Sequence, residues 1–179
     1  MLDAIRLYRR LVVLGGGPIG SELTQAFARL GATVTQVEML PRLLSREDPE
    51  VSACVQARFA AEGIDVRVNT KALRVEQTDG EKRLIVEHEG VEDAIAFDQI
   101  LVAVGRSARL TGFGLEDIGV RTGRTVEVND FLQTNLPNIF SCGDVAGPYQ
   151  FTPTASHMAW YAAVTSLFAP LLTFRGGPF

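Results

Sequence analysis

The 179-residue sequence predicts an α/β fold, a parallel sheet with helices joined to an antiparallel β-meander. Three observations predict it. An apolar run, Leu11–Leu14, ends in Gly15-Gly16-Gly17-Pro18-Ile19-Gly20 and passes into helical periodicity over Ile19–Leu30. Two strand–helix units then follow one another, with further strands at Thr33–Val37 and Ile64–Val68; such a succession implies parallel pairing. Beyond them, short alternating runs at Ala72–Gln77, Arg83–His88 and Asp93–Phe97 are separated by turn signals at Thr78-Asp79-Gly80 and Glu89-Gly90. That is the pattern of an antiparallel meander with one solvated face.

The glycine pattern makes the parallel part Rossmann-like. Gly15 permits the tight turn out of the strand, Gly17 lets backbone approach a pyrophosphate, and Gly20 lets the helix lie close to the sheet. Pro18 and Ile19 stand between them at the start of the helix, where unpaired N–H groups and the positive end of the macrodipole favour an anion. Gly31 reads as the helix stop, and the second strand ends in Glu38. An acidic residue about twenty positions beyond the glycines is where a ribose hydroxyl is held.

In order, Met39-Leu40-Pro41-Arg42 is a loop whose proline blocks a regular continuation. Glu47-Asp48-Pro49-Glu50 opens a second helix, with Asp48 as N-cap and Pro49 at the first position. Val51, Val55, Phe59 and Ala60 form its expected apolar stripe, ending near Gly63. Gln99–Val104 is a continuous apolar run of the buried parallel type and stops at Gly105-Arg106. Gly105 either leaves room for a ligand at the carboxyl edge of the sheet or is a bare turn glycine. Ser107–Leu136 is loop-rich, with a helical turn expected at Leu115–Ile118 and a strand at Thr125–Val128. Ile139–Cys142 reads as a short buried strand followed by Gly143-Asp144. A carboxylate there can accept hydrogen bonds from a polyol, although taken alone Gly143-Asp144 is more often an Asx-type turn. A final helix, Thr154–Phe168, is apolar nearly all round and so needs cover on more than one side.

Composition excludes several classes. A net charge of -4 and a pI near 5.2 leave no basic surface for nucleic acid. Cys54 and Cys142 lie far apart, so no disulfide scaffold is indicated and a reducing cytoplasm fits. Met1–Arg10 has no long apolar core after it and does not read as a secretory signal. Met158–Phe174 is uncharged and apolar, but Thr165, Ser166, Pro170 and Thr173 favour a buried helix and its tail over a membrane span.

Three motifs in order, LVVLGGGPIGSE, ILVAVGR at Ile100–Arg106, and NIFSCGD at Asn138–Asp144 followed by FTPTASHMA, resemble the pyridine nucleotide-disulfide oxidoreductases. That family of two-dinucleotide flavoproteins includes dihydrolipoyl dehydrogenase, glutathione reductase and mercuric reductase, and the resemblance covers nearly the whole chain. It implies that Gly15, Gly17, Pro18, Ile19 and Gly20 hold the nicotinamide dinucleotide, Glu38 its adenosine ribose, and that Gly105 passes near the nucleotide. Glu22 matches the catalytic-site glutamate near nicotinamide and flavin, which in the family pairs with a lysine beside the redox disulfide. Asp144 would hold the ribityl chain of FAD, with Thr152 and Pro153 near the flavin ring. Met158, Ala159 and Trp160 are read as core packing.

The family's first GxGxxG, its redox-active cysteine pair with the lysine, and its interface domain with the catalytic histidine have no counterpart here; neither His88 nor His157 takes that place. The chain is therefore expected to be a central piece, with residues 1–106 a NAD(P)-binding Rossmann-like domain and 107–179 the returning end of an incomplete FAD-binding domain. The implied function is hydride transfer from nicotinamide to flavin and on to a disulfide or metal-ion acceptor, with NAD preferred to NADP. FAD belongs to the full-length parent, and the chain alone is expected to be inactive and to retain no tightly bound FAD. The expected partners are the dinucleotide, the rest of the FAD and interface domains, and a second copy in a homodimer meeting through Tyr149–Phe174, with no nucleic acid and no membrane. The alternatives are a nucleotide-binding module without catalysis and an assembly protein that kept the fold and lost the site.

Overall fold

The structure is a computed structural model that describes residues 9–168. Most of the stretch read as lacking a secretory signal, and the helix tail with Pro170 and Thr173, lie outside the described residues. The chain parts into two compact units between Gly105 and Arg106.

The first unit carries two sheets. β1 (Arg10–Leu14), α1 (Pro18–Arg29), β2 (Thr33–Val37), α2 (Pro49–Ala61) and β3 (Asp65–Arg67) run in sequence, and the sheet is completed by β7 (Gln99–Val102). All pairings in it are parallel, in the order β3-β2-β1-β7. The inserted meander is β4 (Thr70–Thr78), β5 (Glu81–His88) and β6 (Val91–Phe97), antiparallel throughout, with a bulge between Ala72 and Arg74. Its two hairpins turn on Asp79-Gly80 and Glu89-Gly90, where all four residues have positive φ. Two-residue turns of this kind match the right-handed twist of the flanking strands.

The alternation of β1 and β2 sends side chains to two cores. Leu11, Val13 and Val34 pack with Phe27 and Ala28 of α1, while Val12 and Val37 meet Leu84, Val86, Ile95 and Phe97 of the meander. At the helix ends, the Glu62 carboxylate accepts hydrogen bonds from Gln25 and Arg29 of α1 and from Arg58 of α2. These bonds, that from Arg29 foremost, hold its pKa down at about 2.

Several expected elements differ. α2 buries Ser52 and Phe59, whereas Val51 and Ala60 are exposed, because the Ser52 hydroxyl donates to the carbonyl of Leu43 at 2.7 Å and so faces the core. Asp48 stands at the N-cap but its side chain makes no capping bond. The apolar run from Gln99 is a strand only to Val102, and Val102 and Val104 are exposed, since β7 is an edge of the sheet.

The second unit has little regular structure before α3 (Thr152–Phe168), which begins two residues earlier than expected. The stretches expected to be strands, Thr125–Val128 and Ile139–Cys142, contribute only isolated bridges, Thr122 to Val126 and Gln133 to Phe140. Each bridge is one pair of backbone bonds, Gly123 N–H to the Thr125 carbonyl and Glu127 N–H to the Arg121 carbonyl in the first, instead of a continuous ladder. Leu115–Ile118 forms a turn, closed by Val120 N–H on the Leu115 carbonyl at 3.0 Å. α3 buries Met158, Ala162 and Thr165, the first two against Leu132 and Ala146, and leaves Trp160, Leu167 and Phe168 exposed. Among the described residues, no helix is long and apolar enough to cross a membrane.

Candidate functional site

The turn between β1 and α1 gathers Gly15, Gly17, Pro18, Ile19, Gly20 and Glu38 at one place. The glycines there serve different ends. Gly15 has φ +106°, and a Cβ on it would strike the Ala103 carbonyl beyond β7. A Cβ on Gly20 would strike the Gly15 carbonyl, so the absence of that side chain lets α1 seat on the end of β1. Gly17 is the N-cap of α1 with φ -74° and ψ 179°, ordinary extended backbone. A Cβ there would meet no protein atom within 4 Å.

The donors sort in the same way. Gly15 N–H is taken by the Val37 carbonyl at 2.9 Å and Gly16 N–H by Glu38 Oε2 at 2.5 Å. The N–H groups of Gly17, Ile19 and Gly20, in the first turn, have no intrahelical acceptor, Pro18 has no N–H, and no side chain caps the helix. Three backbone donors without an intrahelical acceptor and the positive helix end therefore lie at this turn, where the space beside Gly17 is open, the arrangement that receives an anion.

Glu38 is bound into this turn from the other side. One carboxylate oxygen accepts from Gly16 and the other accepts from Leu40 N–H at 2.7 Å. Gly16 is required for that contact, because a Cβ would lie 2.7 Å from Leu43 Cδ2 and 2.9 Å from Glu38 Oε2. The loop beyond is anchored to α2, with Leu43 N–H on Gln56 Oε1 at 3.1 Å. Arg42 turns along the same loop, its Nη2 donating to the carbonyls of Ser45 and Glu47 at 3.0 and 3.2 Å.

One residue to which the sequence reading gave no role completes the turn. Gln36 of β2 is fully buried, and its Nε2 donates to the Gly15 carbonyl at 3.0 Å and to Ser21 Oγ at 3.3 Å. Its signal was a long amide on the strand face that otherwise carries Val34. Glu22 stands one turn into α1, exposed, with no hydrogen bond or ion pair among the described residues. Gly105 has φ +106° and is exposed, with open space where a Cβ would lie.

In the second unit, Asp144 lies in a single 3-10 turn, Gly143–Val145, its carboxylate 3.4 Å from Arg106 Nη1. A Cβ on Gly143 would come within 3.3 Å of Ala155 Cβ, so the turn packs on the first turn of α3. Thr152 and Pro153 open that helix and are exposed. The separate cavity of this unit, about 300 Å³, is lined by Val126, Leu132, Tyr149, His157 and Tyr161 and does not include Asp144, Thr152 or Pro153.

Comparison with known proteins gives one family. The family described as pyridine nucleotide-disulphide oxidoreductase matches residues 2–163. Dihydrolipoyl dehydrogenase of Thermus scotoductus is 38% identical over 155 residues, covering 84% of this chain and 33% of that protein. Mercuric reductase of Lysinibacillus sphaericus is 37% identical over 159 residues, 88% of this chain and 29% of that protein. The chain thus spans about a third of the length of the curated relatives it matches. Among solved structures, the HOCl-induced flavoprotein disulfide reductase RclA from Escherichia coli superposes with a TM-score of 0.82 at 26% identity, over 95% of this chain and 38% of that one.

Proposed function

The chain belongs to the pyridine nucleotide-disulphide oxidoreductase family, whose members are FAD-dependent oxidoreductases, and from that premise we propose that it is the NAD(H)-binding portion of such an enzyme. The observation that carries this reading is Gly17. Neither its φ nor its packing calls for glycine, yet it stands at the helix start, where the N–H groups of Gly17, Ile19 and Gly20 have no intrahelical acceptor. Close approach of a diphosphate supplies the missing reason. In this reading Gly15, Gly17, Pro18, Ile19 and Gly20 bind the dinucleotide, Gly105 borders it, and Glu22 lies near the nicotinamide. Nicotinamide and flavin supply hydride transfer when bound, and the protein supplies position and electrostatics. The proposed final acceptor of the two electrons is a disulfide or a metal ion.

Residues 1–106 are then the NAD(P)-binding domain and 107–179 part of an FAD-binding domain, in which Asp144 holds the ribityl chain with Thr152 and Pro153 near the flavin. Further segments of the FAD and interface domains, and a second copy, are the proposed partners, in the cytoplasm. A second reading, a module that holds nucleotide without turnover, is favoured by Asp144, whose carboxylate among the described residues pairs with Arg106 and sits outside the cavity of its unit.

Glu38 makes NADH the preferred cofactor. Its oxygens, already fixed by Gly16 and Leu40, keep lone pairs for ribose hydroxyls, and bonds to a charged acceptor are worth roughly 1.5–3 kcal/mol each. A 2′-phosphate would lose them and meet a like charge. Arg42 offsets only part of this, since its Nη2 is engaged by the Ser45 and Glu47 carbonyls. Isothermal titration with both reduced cofactors should give at least about tenfold preference for NADH, or ~1.4 kcal/mol, and a smaller ratio in Glu38→Ala. Equal affinities in the native chain, or an unchanged ratio in the variant, would refute the assignment.

A further inference from the structure

We propose that Gln36, buried beneath the glycine turn and touching no cofactor, is a positioning residue for cofactor selection, acting through one peptide unit on Glu38. The proposal rests on the dinucleotide reading above. Gly15 C=O and Gly16 N–H belong to the same planar trans peptide, so they point in opposite directions. Gln36 Nε2 holds the carbonyl inward at 3.0 Å, and the N–H on the far side of that peptide meets Glu38 Oε2 at 2.5 Å. The next peptide repeats the arrangement. Gly16 C=O is drawn back by Leu44 N–H at 2.7 Å and, more loosely, by Ser21 Oγ at 3.5 Å, which turns Gly17 N–H the opposite way.

The amide could not be reversed, because the Gly15 carbonyl can only accept. In that orientation Gln36 Oε1 is left buried without a partner, on a face otherwise occupied by Val34 and Val13. An orphaned buried acceptor is destabilising, so the amide is a poor choice for packing alone. Its donor is what the turn uses. Replacing it by Met would relieve Gln36 Oε1 and orphan the Gly15 carbonyl instead, an exchange that leaves stability near its starting value while freeing the Gly15–Gly16 peptide to rotate.

The test has two arms on the full chain. In the native protein without nucleotide, amide hydrogen exchange by NMR should show Gly16 N–H protected and Gly17 N–H fast. Gly16 exchanging as fast as Gly17 overturns the proposal. In Gln36→Met, isothermal titration should show NADH affinity falling about fivefold, the size of coupling expected through a packed polar link, with NADPH affinity nearly unchanged and the melting temperature within a few degrees. An unchanged NADH to NADPH ratio, or equal loss of both with a lowered melting temperature, overturns it. Should Gln36→Met not fold, Ser21→Ala, which removes the looser tie on the Gly16 carbonyl and the second acceptor of Gln36 Nε2 but keeps the bond from Gln36 to the Gly15 carbonyl, must leave Gly16 protected. Binding of neither cofactor by the native chain would defeat the function while the exchange arm still decides whether Gln36 holds the turn.

Discussion

The glycine turn of the first unit and the Gly143-Asp144 turn of the second are built from the same ingredients, a glycine and a carboxylate at the start of a helical segment, and differ in how they are braced. At the first, Glu38 accepts two backbone N–H groups and the turn is tied to β2 and to the loop before α2. At the second, Asp144 has Arg106 at 3.4 Å, and both side chains are about half exposed. The first turn is complete within its own unit. On the proposed reading the second is one wall of a site, and Phe151, Trp160, Leu167 and Phe168 on and beside α3 are exposed apolar surface near it in sequence.

The largest effect that separates the two should come from the close approaches. Gly15→Ala places a side chain at φ +106° against the Ala103 carbonyl, and strain plus overpacking should remove roughly 3 kcal/mol of stability in urea titration, with loss of nucleotide binding. Gly17→Ala should behave otherwise. With open space around it, the substitution should cost less than about 1 kcal/mol while lowering NADH affinity at least tenfold, measured by the same titration. A Gly17→Ala chain that binds normally would remove the observation on which the site rests.

In the second unit the contrast is tested by association. Light scattering over a concentration series should show self-association, reduced by Leu167→Ser together with Phe151→Ser, since those side chains are 74% and 65% exposed. A clean monomer at high concentration would contradict it.

The smallest effect concerns pH. Glu62, lowered from 4.5 to about 2 by Arg29, Arg58 and Gln25, stabilises the α1–α2 ends fully above about 4.5 and loses that contribution as pH falls through about 2. Its carboxyl resonance should titrate near 2 in the native chain. A midpoint near 4.5 would mean that the clamp does not form in solution.

How much of this was legible in the sequence follows the same division. The glycine spacing, Glu38 and the hairpin turns at Asp79-Gly80 and Glu89-Gly90 are local signals, and local geometry realises them. Gln36 and Gly16 were not legible, because their importance comes from contacts across 15 to 22 positions, to Ser21, Gly15 and Glu38. In α2 the apolar pattern pointed to Val51, yet a hydroxyl bond to Leu43 turned Ser52 inward. In the second unit, apolar runs that read as strands became bridges, since strand formation needs a neighbouring ladder that periodicity cannot report.

The central claim, that the open face beside Gly17 receives a dinucleotide, is tested most directly by mapping backbone amide shifts as NADH is added to the full chain. The account predicts saturable changes centred on Gly17, Ile19, Gly20 and the residues around Glu38, with Gly143, Asp144 and Thr152 undisturbed. No change at the glycine turn, or changes confined to the second unit, would contradict it.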